Sequence, residues 1–308
     1  MALLFHSKID SSEEFGAVLA SELPGTEFRV WPDIGDPAEI EAAVVWRPPP
    51  GVLAALPNLQ LICALGAGVD ALLADETLPA VPVVRLVDDH LTTSMSEYVI
   101  LQVMRFHRLD HEYLAQQRAG VWKILPPRIA EERKVGMLGM GVLGTAAAQK
   151  LRHIGFDVAG WSRSPRRIEG VPTFHGPEGL DALLERSEIL VCLLPLTADT
   201  QDILNASLFR KLPKGAVLIN CGRGKHLVEE DLIPALDSGQ LSAAALDVFR
   251  EEPLSPKHPF WSHSGIFISP HVASQTNAGT AGRAIADNIR RMRSGRPLLN
   301  QVDIRKGY

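Results

Sequence analysis

Three polar groups in the C-terminal half each fall just past a short apolar run. Arg223 follows Ala216 to Asn220, Glu252 lies beyond Leu241 to Val248, and His271 follows Ile266 to Ser269. A planar guanidinium grips a carboxylate with two parallel hydrogen bonds. An imidazole exchanges a proton near neutral pH, and a carboxylate beside it favours the charged ring. Beside a nicotinamide, that combination suits hydride transfer to or from a carbonyl carbon. Taken singly, each residue has a plainer use. Arg223 could end a strand, His271 could cap a helix, and Glu252 could be a solvated turn residue next to Glu251. His258 and His263 read as structural.

A second constellation comes earlier. Lys134 to Gly144 reads KVGMLGMGVLG, an apolar stretch running into Gly139-Met140-Gly141-Val142-Leu143-Gly144 and then a helical run from Ala146 to Ile154. Strand, glycine turn and helix bring backbone N–H groups and a helix N-terminus up to a pyrophosphate. Gly139 permits the tight turn, Gly141 the approach of a phosphate, and Gly144 the packing of helix on strand. A dinucleotide site for NAD has a carboxylate about 20 residues further on, bonding the ribose. Here that place reads Trp161-Ser162-Arg163-Ser164-Pro165-Arg166-Arg167, without an acid. Arg163 can face a 2′-phosphate, Ser162 and Ser164 can donate to it, and Arg166 or Arg167 can assist. The stretch therefore favours NADPH, with NAD the alternative.

These groups need a scaffold that gathers strand ends. In an open parallel sheet, ligands collect outside the carboxyl ends of the strands. Strand candidates alternate with helical stretches through the whole chain, which implies parallel sheets with helices on their faces. In the first part, Leu3 to Phe5, Phe28 to Val30, Ala42 to Trp46, Leu59 to Leu65 and Val83 to Val87 read as strands. Gly66-Ala67-Gly68 follows one of them and offers a carboxylate cradle of backbone N–H groups, or else an ordinary turn. Later strands are expected at Val135 to Leu138, Phe156 to Trp161, Ile189 to Leu194, Ala216 to Asn220, Leu241 to Val248 and Ile266 to Ser269. Apolar spacing predicts one helix over Thr92 to His111, capped by Ser94 or Ser96, and another over Asn277 to Met292. Two helices that cross between domains would act as a hinge. His107 and His111 are four apart on the first, but no third ligand accompanies them and no metal is expected. Gly120 to Arg133 reads as a connector, and Pro234 demands a first-turn position or a kink.

Composition excludes other classes. The chain has 308 residues, 46% hydrophobic and 22% charged, with a formal net charge of −5. That balance opposes a nucleic-acid partner or an anionic membrane surface. No apolar run approaches the ~20 residues that span a bilayer. The start, MALLFHSK, reads as a first strand rather than a signal peptide. Cys63, Cys192 and Cys221 form no disulfide or zinc pattern, which fits a reducing cytoplasm.

With its motifs assembled, the sequence resembles the D-isomer-specific 2-hydroxyacid dehydrogenases over nearly its whole length. The likeness rests on the glycine loop, Leu194-Pro195-Leu196-Thr197 with Thr200, Asn220-Cys221-Gly222-Arg223-Gly224, Ala245-Leu246-Asp247-Val248-Phe249 before Glu252-Pro253, and Ser269-Pro270-His271-Val272-Ala273. Trp46, Trp122, the WSRS stretch, His258-Pro259-Phe260-Trp261 and the tail Val302-Asp303-Ile304-Arg305 make it most similar to the branch acting on glyoxylate and hydroxypyruvate. The resemblance implies an α/β protein with two doubly wound parallel-sheet domains. One is a Rossmann dinucleotide-binding domain at residues 98–274. The other is a discontinuous, flavodoxin-like substrate domain at 1–97 and 275–308. It implies His271 as acid/base, Glu252 as its partner, and Arg223 on the 2-oxo and carboxylate oxygens. Gly66, Ala67 and Gly68 would bind the carboxylate from the other domain, with closure of a cleft, and Trp46 would wall the pocket. Asp247 would accept from the nicotinamide carboxamide. Val142, Leu143, Leu194, Pro195, Thr200, Cys221, Gly222 and Ser274 would complete the cofactor site. A small 2-oxo acid substrate and a homodimer packed through the nucleotide domain are also implied. Glu252 argues against a formate dehydrogenase, which has glutamine there. A reductase of bulkier 2-oxo acids and a catalytically silent nucleotide sensor remain as other readings.

Overall fold

The computed structural model describes residues 1–307 and divides into two compact units, Met1–Leu91 with the residues from Gln275 onward, and Thr92–Ser274. The first segment of unit 1 runs β1 (Ala2–His6), α1 (Ser12–Glu22), β2 (Glu27–Val30), β3 (Ile40–Val45), β4 (Leu61–Ala64), α2 (Asp70–Leu73) and β5 (Val83–Arg85). Its five strands lie in the order β2-β1-β3-β4-β5, all parallel. This is the flavodoxin-like winding, which reverses direction between β1 and β3. Every residue of β1, β3 and β4 is buried, as a sheet covered on both faces requires.

Unit 2 takes in α3 (Asp89–His107) from its fourth residue, then α4 (Asp110–Ala119), β6 (Lys134–Leu138), α5 (Val142–Ile154), β7 (Asp157–Ser162) and β8 (Thr173–His175). It continues through α6 (Gly176–Arg186), β9 (Ile189–Cys192), α7 (Ala206–Lys211), β10 (Ala216–Asn220), α8 (Glu229–Asp237), β11 (Leu241–Leu246) and β12 (Ile266–Ile268). The seven strands run β12-β11-β10-β9-β6-β7-β8 and are parallel throughout. Strand order reverses between β6 and β9, the place where a doubly wound sheet opens a crevice for a dinucleotide. The chain then returns to unit 1 as α9 (Ala278–Arg293). Asn277 caps α9 by accepting from Thr280 N–H, and Ala281, Ile285, Ala286 and Ile289 form its buried face. Helix α9 lies tightly on α1, since a Cβ on Gly282 would sit 2.5 Å from Val18 Cγ1. Among the described residues, no helix is long and apolar enough to cross a membrane.

Four local expectations are refined. The helix expected over Thr92 to His111 starts at Asp89 and breaks after His107, where Leu109 takes a left-handed φ of 58°. His107 and His111 therefore sit on different helices and are not one turn apart. Ser94 and Ser96 lie inside α3 rather than at its start. Ser96 Oγ donates to Thr92 O at 2.7 Å, while Asp88 accepts from Leu91 N–H near the true start. Strand β8 has no counterpart among the expected elements, because Thr173-Phe174-His175 sets one apolar residue between two polar ones and gives no apolar run to read. Pro234 is neither first-turn nor terminal. It sits inside α8, whose nine residues end at Asp237.

Candidate active site

The glycine turn is built as a cradle. Gly139 follows β6 with a left-handed φ of 101°, and a Cβ there would lie 2.6 Å from Leu193 O. A Cβ on Gly144 would lie 1.9 Å from Gly139 O, so only hydrogen allows α5 to start so close to the strand. By contrast, a Cβ on Gly141 would meet nothing within 4 Å, leaving open space at the N-terminus of a 13-residue helix. Unpaired N–H groups and the positive end of the helix dipole suit a pyrophosphate there. Val142 and Leu143 form the first turn of α5. Across the switch point, Leu194 and Pro195 follow β9. Thr200 Oγ donates to Pro195 O at 2.7 Å and accepts from Thr197 N–H at 2.9 Å, which fixes that loop.

His271 sits just beyond β12 in a left-handed conformation, φ 54°. A non-glycine residue held there stores strain that its surroundings must offset. Asp247, 1% exposed and just beyond β11, supplies that restraint. Its backbone O accepts from His271 N–H at 2.8 Å. Its Oδ1 accepts from Ser269 Oγ at 2.6 Å and from Val272 N–H at 2.9 Å, and Oδ2 accepts from Ala273 N–H at 2.9 Å. Three protein donors leave about one of the carboxylate's four lone-pair positions for a carboxamide. In this structure Asp247 holds the turn that carries His271. Tyr98 on α3 extends the network, with its hydroxyl 2.7 Å from Ser269 Oγ. Because Ser269 donates to the carboxylate, Tyr98 donates to Ser269. Burial pushes the Tyr98 phenol well up from its usual range.

The imidazole Nδ1 of His271 is 3.0 Å from Glu252 Oε2, with the ring 30% and the carboxylate 19% exposed. Glu252 Oε1 accepts from Phe249 N–H at 3.2 Å, so the acid is aimed by its own loop. The structure thus brings Glu252, and not Glu251, to the ring. Pairing at Nδ1 turns Nε2 away from the acid. Arg223 follows β10, the neighbour of β11, and stands between Gly224, which has no room for a side chain, and Gly222, where one would be tight. A Cβ on Gly224 would lie 1.9 Å from Phe249 C, and one on Gly222 3.1 Å from the His226 ring. The Arg223 peptide therefore packs beside the same loop that aims Glu252. Cys221 is buried, and burial pushes its thiol well above the usual range, which makes it a packing residue here.

Unit 1 groups its own candidates at adjacent strand ends. Trp46 follows β3 and Gly66 to Gly68 follow β4. The indole lies against Gly66, where a Cβ would come within 2.5 Å of Trp46 Cζ3. Arg85, at the end of β5, reaches Ala67 O at 3.5 Å. Ser274 closes unit 2.

Comparison with known proteins decides the family. The sequence model of the D-isomer specific 2-hydroxyacid dehydrogenase NAD binding domain matches residues 100–273. The chain belongs to the D-isomer-specific 2-hydroxyacid dehydrogenases. It is 43% identical to a glyoxylate/hydroxypyruvate reductase A of Yersinia enterocolitica and 44% identical to one of Serratia proteamaculans, each over 100% of both chains. A family member from Xanthobacter autotrophicus Py2, solved with NADPH and MES, superposes with a TM-score of 0.97 at 45% identity, over 100% of this chain and 99% of the other. An NADPH-dependent glyoxylate/hydroxypyruvate reductase from Sinorhizobium meliloti, solved with NADP and sulfate, gives 0.92 at 43% identity, over 100% and 99%.

In a D-2-hydroxyacid dehydrogenase the strand-end groups have an oxidoreductase's work to do, on a small-molecule substrate. The glycine cradle fits a dinucleotide, because the open position at Gly141 adjoins the two glycines that bring helix and strand together. Beyond β7 the fit is more selective than expected. Trp161 is a core residue, 9% exposed, with its indole N–H on Gly176 O at 2.8 Å. Ser162 is buried too and gives its hydroxyl to Ser164 O at 2.8 Å. The exposed residues are Arg163, Ser164, Arg166 and Arg167. Arg163 lies 3.8 Å from Asp199, both well exposed, a contact worth little in water. Sequence reasoning missed Tyr98 and Ser269. The tyrosine reads as one more apolar position on a helix, and only the fold brings it to a strand 171 residues away.

Proposed function

We propose that this dehydrogenase reduces small 2-oxo acids, glyoxylate and hydroxypyruvate, to D-2-hydroxy acids, with NADPH as the preferred cofactor. The observation that carries the reading is the pair His271 Nδ1 to Glu252 Oε2 at 3.0 Å, with the His271 backbone N–H held by Asp247 O. When bound, NADPH supplies the hydride. His271, as imidazolium, gives its Nε2 proton to the substrate carbonyl oxygen, and Glu252 stabilises the cation by accepting from Nδ1. In the reverse direction the neutral ring takes the hydroxyl proton. Arg223 holds the 2-oxo and carboxylate oxygens in its planar fork and polarises the carbonyl. In unit 1, the backbone N–H groups of Gly66, Ala67 and Gly68 form a carboxylate cradle beside Trp46. The acid-free stretch with Arg163, Ser164, Arg166 and Arg167 exposed supports a 2′-phosphate, as do the NADPH and NADP of the two solved relatives. The names of the Yersinia and Serratia relatives support the substrates.

We also propose a homodimer packed through the nucleotide domain and a cytoplasmic setting. Helix α4 buries none of its residues, and Trp122, Ile124 and Ile129 after it are 97%, 81% and 60% exposed. Apolar surface of that kind marks an interface. Three free, buried cysteines suit a reducing compartment.

Steady-state rates with glyoxylate, hydroxypyruvate and bulkier 2-oxo acids, each with NADPH and NADH, test the reading. The two small acids should have the highest kcat/KM, and NADPH should exceed NADH at least tenfold. A tenfold preference for NADH rejects the cofactor assignment, and a preference for bulky acids rejects the substrate assignment.

A further inference from the structure

His226 is completely buried, 0% exposed, in a short turn three residues beyond Arg223. Its Nδ1 accepts from the Arg223 backbone N–H at 3.1 Å. Its Nε2 lies 3.3 Å from Pro195 O, the carbonyl that also receives the Thr200 hydroxyl at 2.7 Å. A ring nitrogen that accepts an N–H carries no proton. The pattern is that of a neutral imidazole protonated at Nε2 and donating to Pro195. One ring thus ties the peptide of Arg223, after β10, to the loop after β9. Its Cε1 and Nδ1 also press on Gly222, where a Cβ would come within 3.1 Å of both.

We propose that His226 is a positioning residue for the dehydrogenase reaction. It fixes the peptide from which the Arg223 side chain departs and locks that peptide to the Pro195 loop. The guanidinium then meets the 2-oxo acid from one direction. The inference rests on reading Arg223 as the group that holds the substrate oxygens. A long side chain magnifies a small rotation of its peptide, and a 1 Å misplacement of a binding group costs on the order of 10²-fold in rate. A plain core histidine would be replaceable by any ring that fills the same volume. The pattern instead requires an acceptor aimed at Arg223 N–H, which a phenyl ring lacks.

Four variants of the full chain separate these uses: His226→Asn, His226→Gln, His226→Phe and Arg223→Gln. Asparagine can place an oxygen near the Nδ1 position, glutamine reaches toward the Nε2 position, and phenylalanine only fills space. Each is measured for kcat and KM with glyoxylate, for NADPH Kd by fluorescence, and for thermal unfolding. His226→Phe is expected to raise the glyoxylate KM about tenfold and to lower kcat about tenfold, with NADPH Kd within twofold of the parent. His226→Asn should recover most of that loss, and ¹⁵N NMR of the parent should show the Nε2–H tautomer. A His226→Phe enzyme with parental constants, a His226→Asn enzyme as impaired as the phenylalanine variant, or an Nδ1–H tautomer overturns the proposal. If His226→Phe fails to fold, His226→Gln takes its place in the comparison with asparagine, and equal losses in the two overturn it. Arg223→Gln with unchanged glyoxylate kinetics would remove the reading of Arg223, and this proposal with it. An impaired Arg223→Gln beside a normal His226→Phe would remove this proposal alone.

Discussion

His271 is held where few side chains rest, at φ 54°, by a backbone N–H bond to Asp247 O and a hydrogen bond between its ring and Glu252. Strain of this sort costs about 1–3 kcal/mol and survives only where neighbours over-determine it. Here the gain is a ring with fixed direction, Nδ1 on the acid and Nε2 turned from it. His271→Gln should therefore lower kcat by roughly 10²–10⁴-fold, the range for a lost general acid, while NADPH Kd stays within about twofold. Near-parental kcat in that variant would take His271 out of proton transfer. The polar groups at this scale were legible in the sequence, because each falls in the loop that follows a strand. Their partners were less so. Asp247 was expected to accept from the cofactor, and its carboxylate also accepts from Ser269, Val272 and Ala273, a restraint on the His271 turn that the sequence did not announce. Trp161 was expected at the cofactor and lies in the core. Trp161 lies in β7, where a side chain turns to one face or the other with the register, and Asp247 lies in the loop beyond β11, whose course the sequence pattern does not set.

Elements set where those residues meet. Strands β10, β11 and β12 are neighbours in one parallel sheet, and Arg223, Glu252 and His271 follow them in turn. Helix α3 joins them through Tyr98 and Ser269, a partly buried link that ends on the Asp247 carboxylate. Ser269→Ala leaves the Tyr98 hydroxyl and one Asp247 oxygen short of a partner. The expected loss is about 1 kcal/mol of stability, the net worth of a partly buried hydrogen bond. A fall in kcat of about tenfold should accompany it, because the turn carrying His271 loosens. Ser269→Thr keeps the hydroxyl and should restore both, as read by thermal melting and initial rates. An alanine variant with parental Tm and kcat would show that the link carries nothing. Among the described residues, short apolar runs announced eleven of the twelve strands, and β8 escaped because Thr173-Phe174-His175 holds a single apolar residue between two polar ones. The break between α3 and α4 was hidden for another reason. Leu109 makes the left-handed turn without the glycine or asparagine that would have signalled it.

At the scale of the molecule, each unit is a doubly wound parallel sheet with its own reversal of strand order. Parallel sheets with helices on their faces follow from alternating strands and helices, and the double winding was what the family resemblance implied. What the alternation cannot supply is the surface left for partners. The apolar arm around Trp122 in unit 2, 97% exposed, is the ground for a dimer. Sedimentation should find twice the 33.5 kDa chain mass, and Trp122→Ser with Ile124→Ser should weaken that association. A parent protein that sediments as a monomer at micromolar concentration would reject the dimer. The central claim is that this dehydrogenase moves hydride from NADPH to a small 2-oxo acid, with His271 as proton donor. Its most direct test is the initial rate of NADPH oxidation by the purified protein as glyoxylate is added. Saturable turnover, lost in His271→Gln, is the predicted result. NADPH that binds yet is never consumed, with any short 2-oxo acid, would contradict the claim and leave a nucleotide sensor.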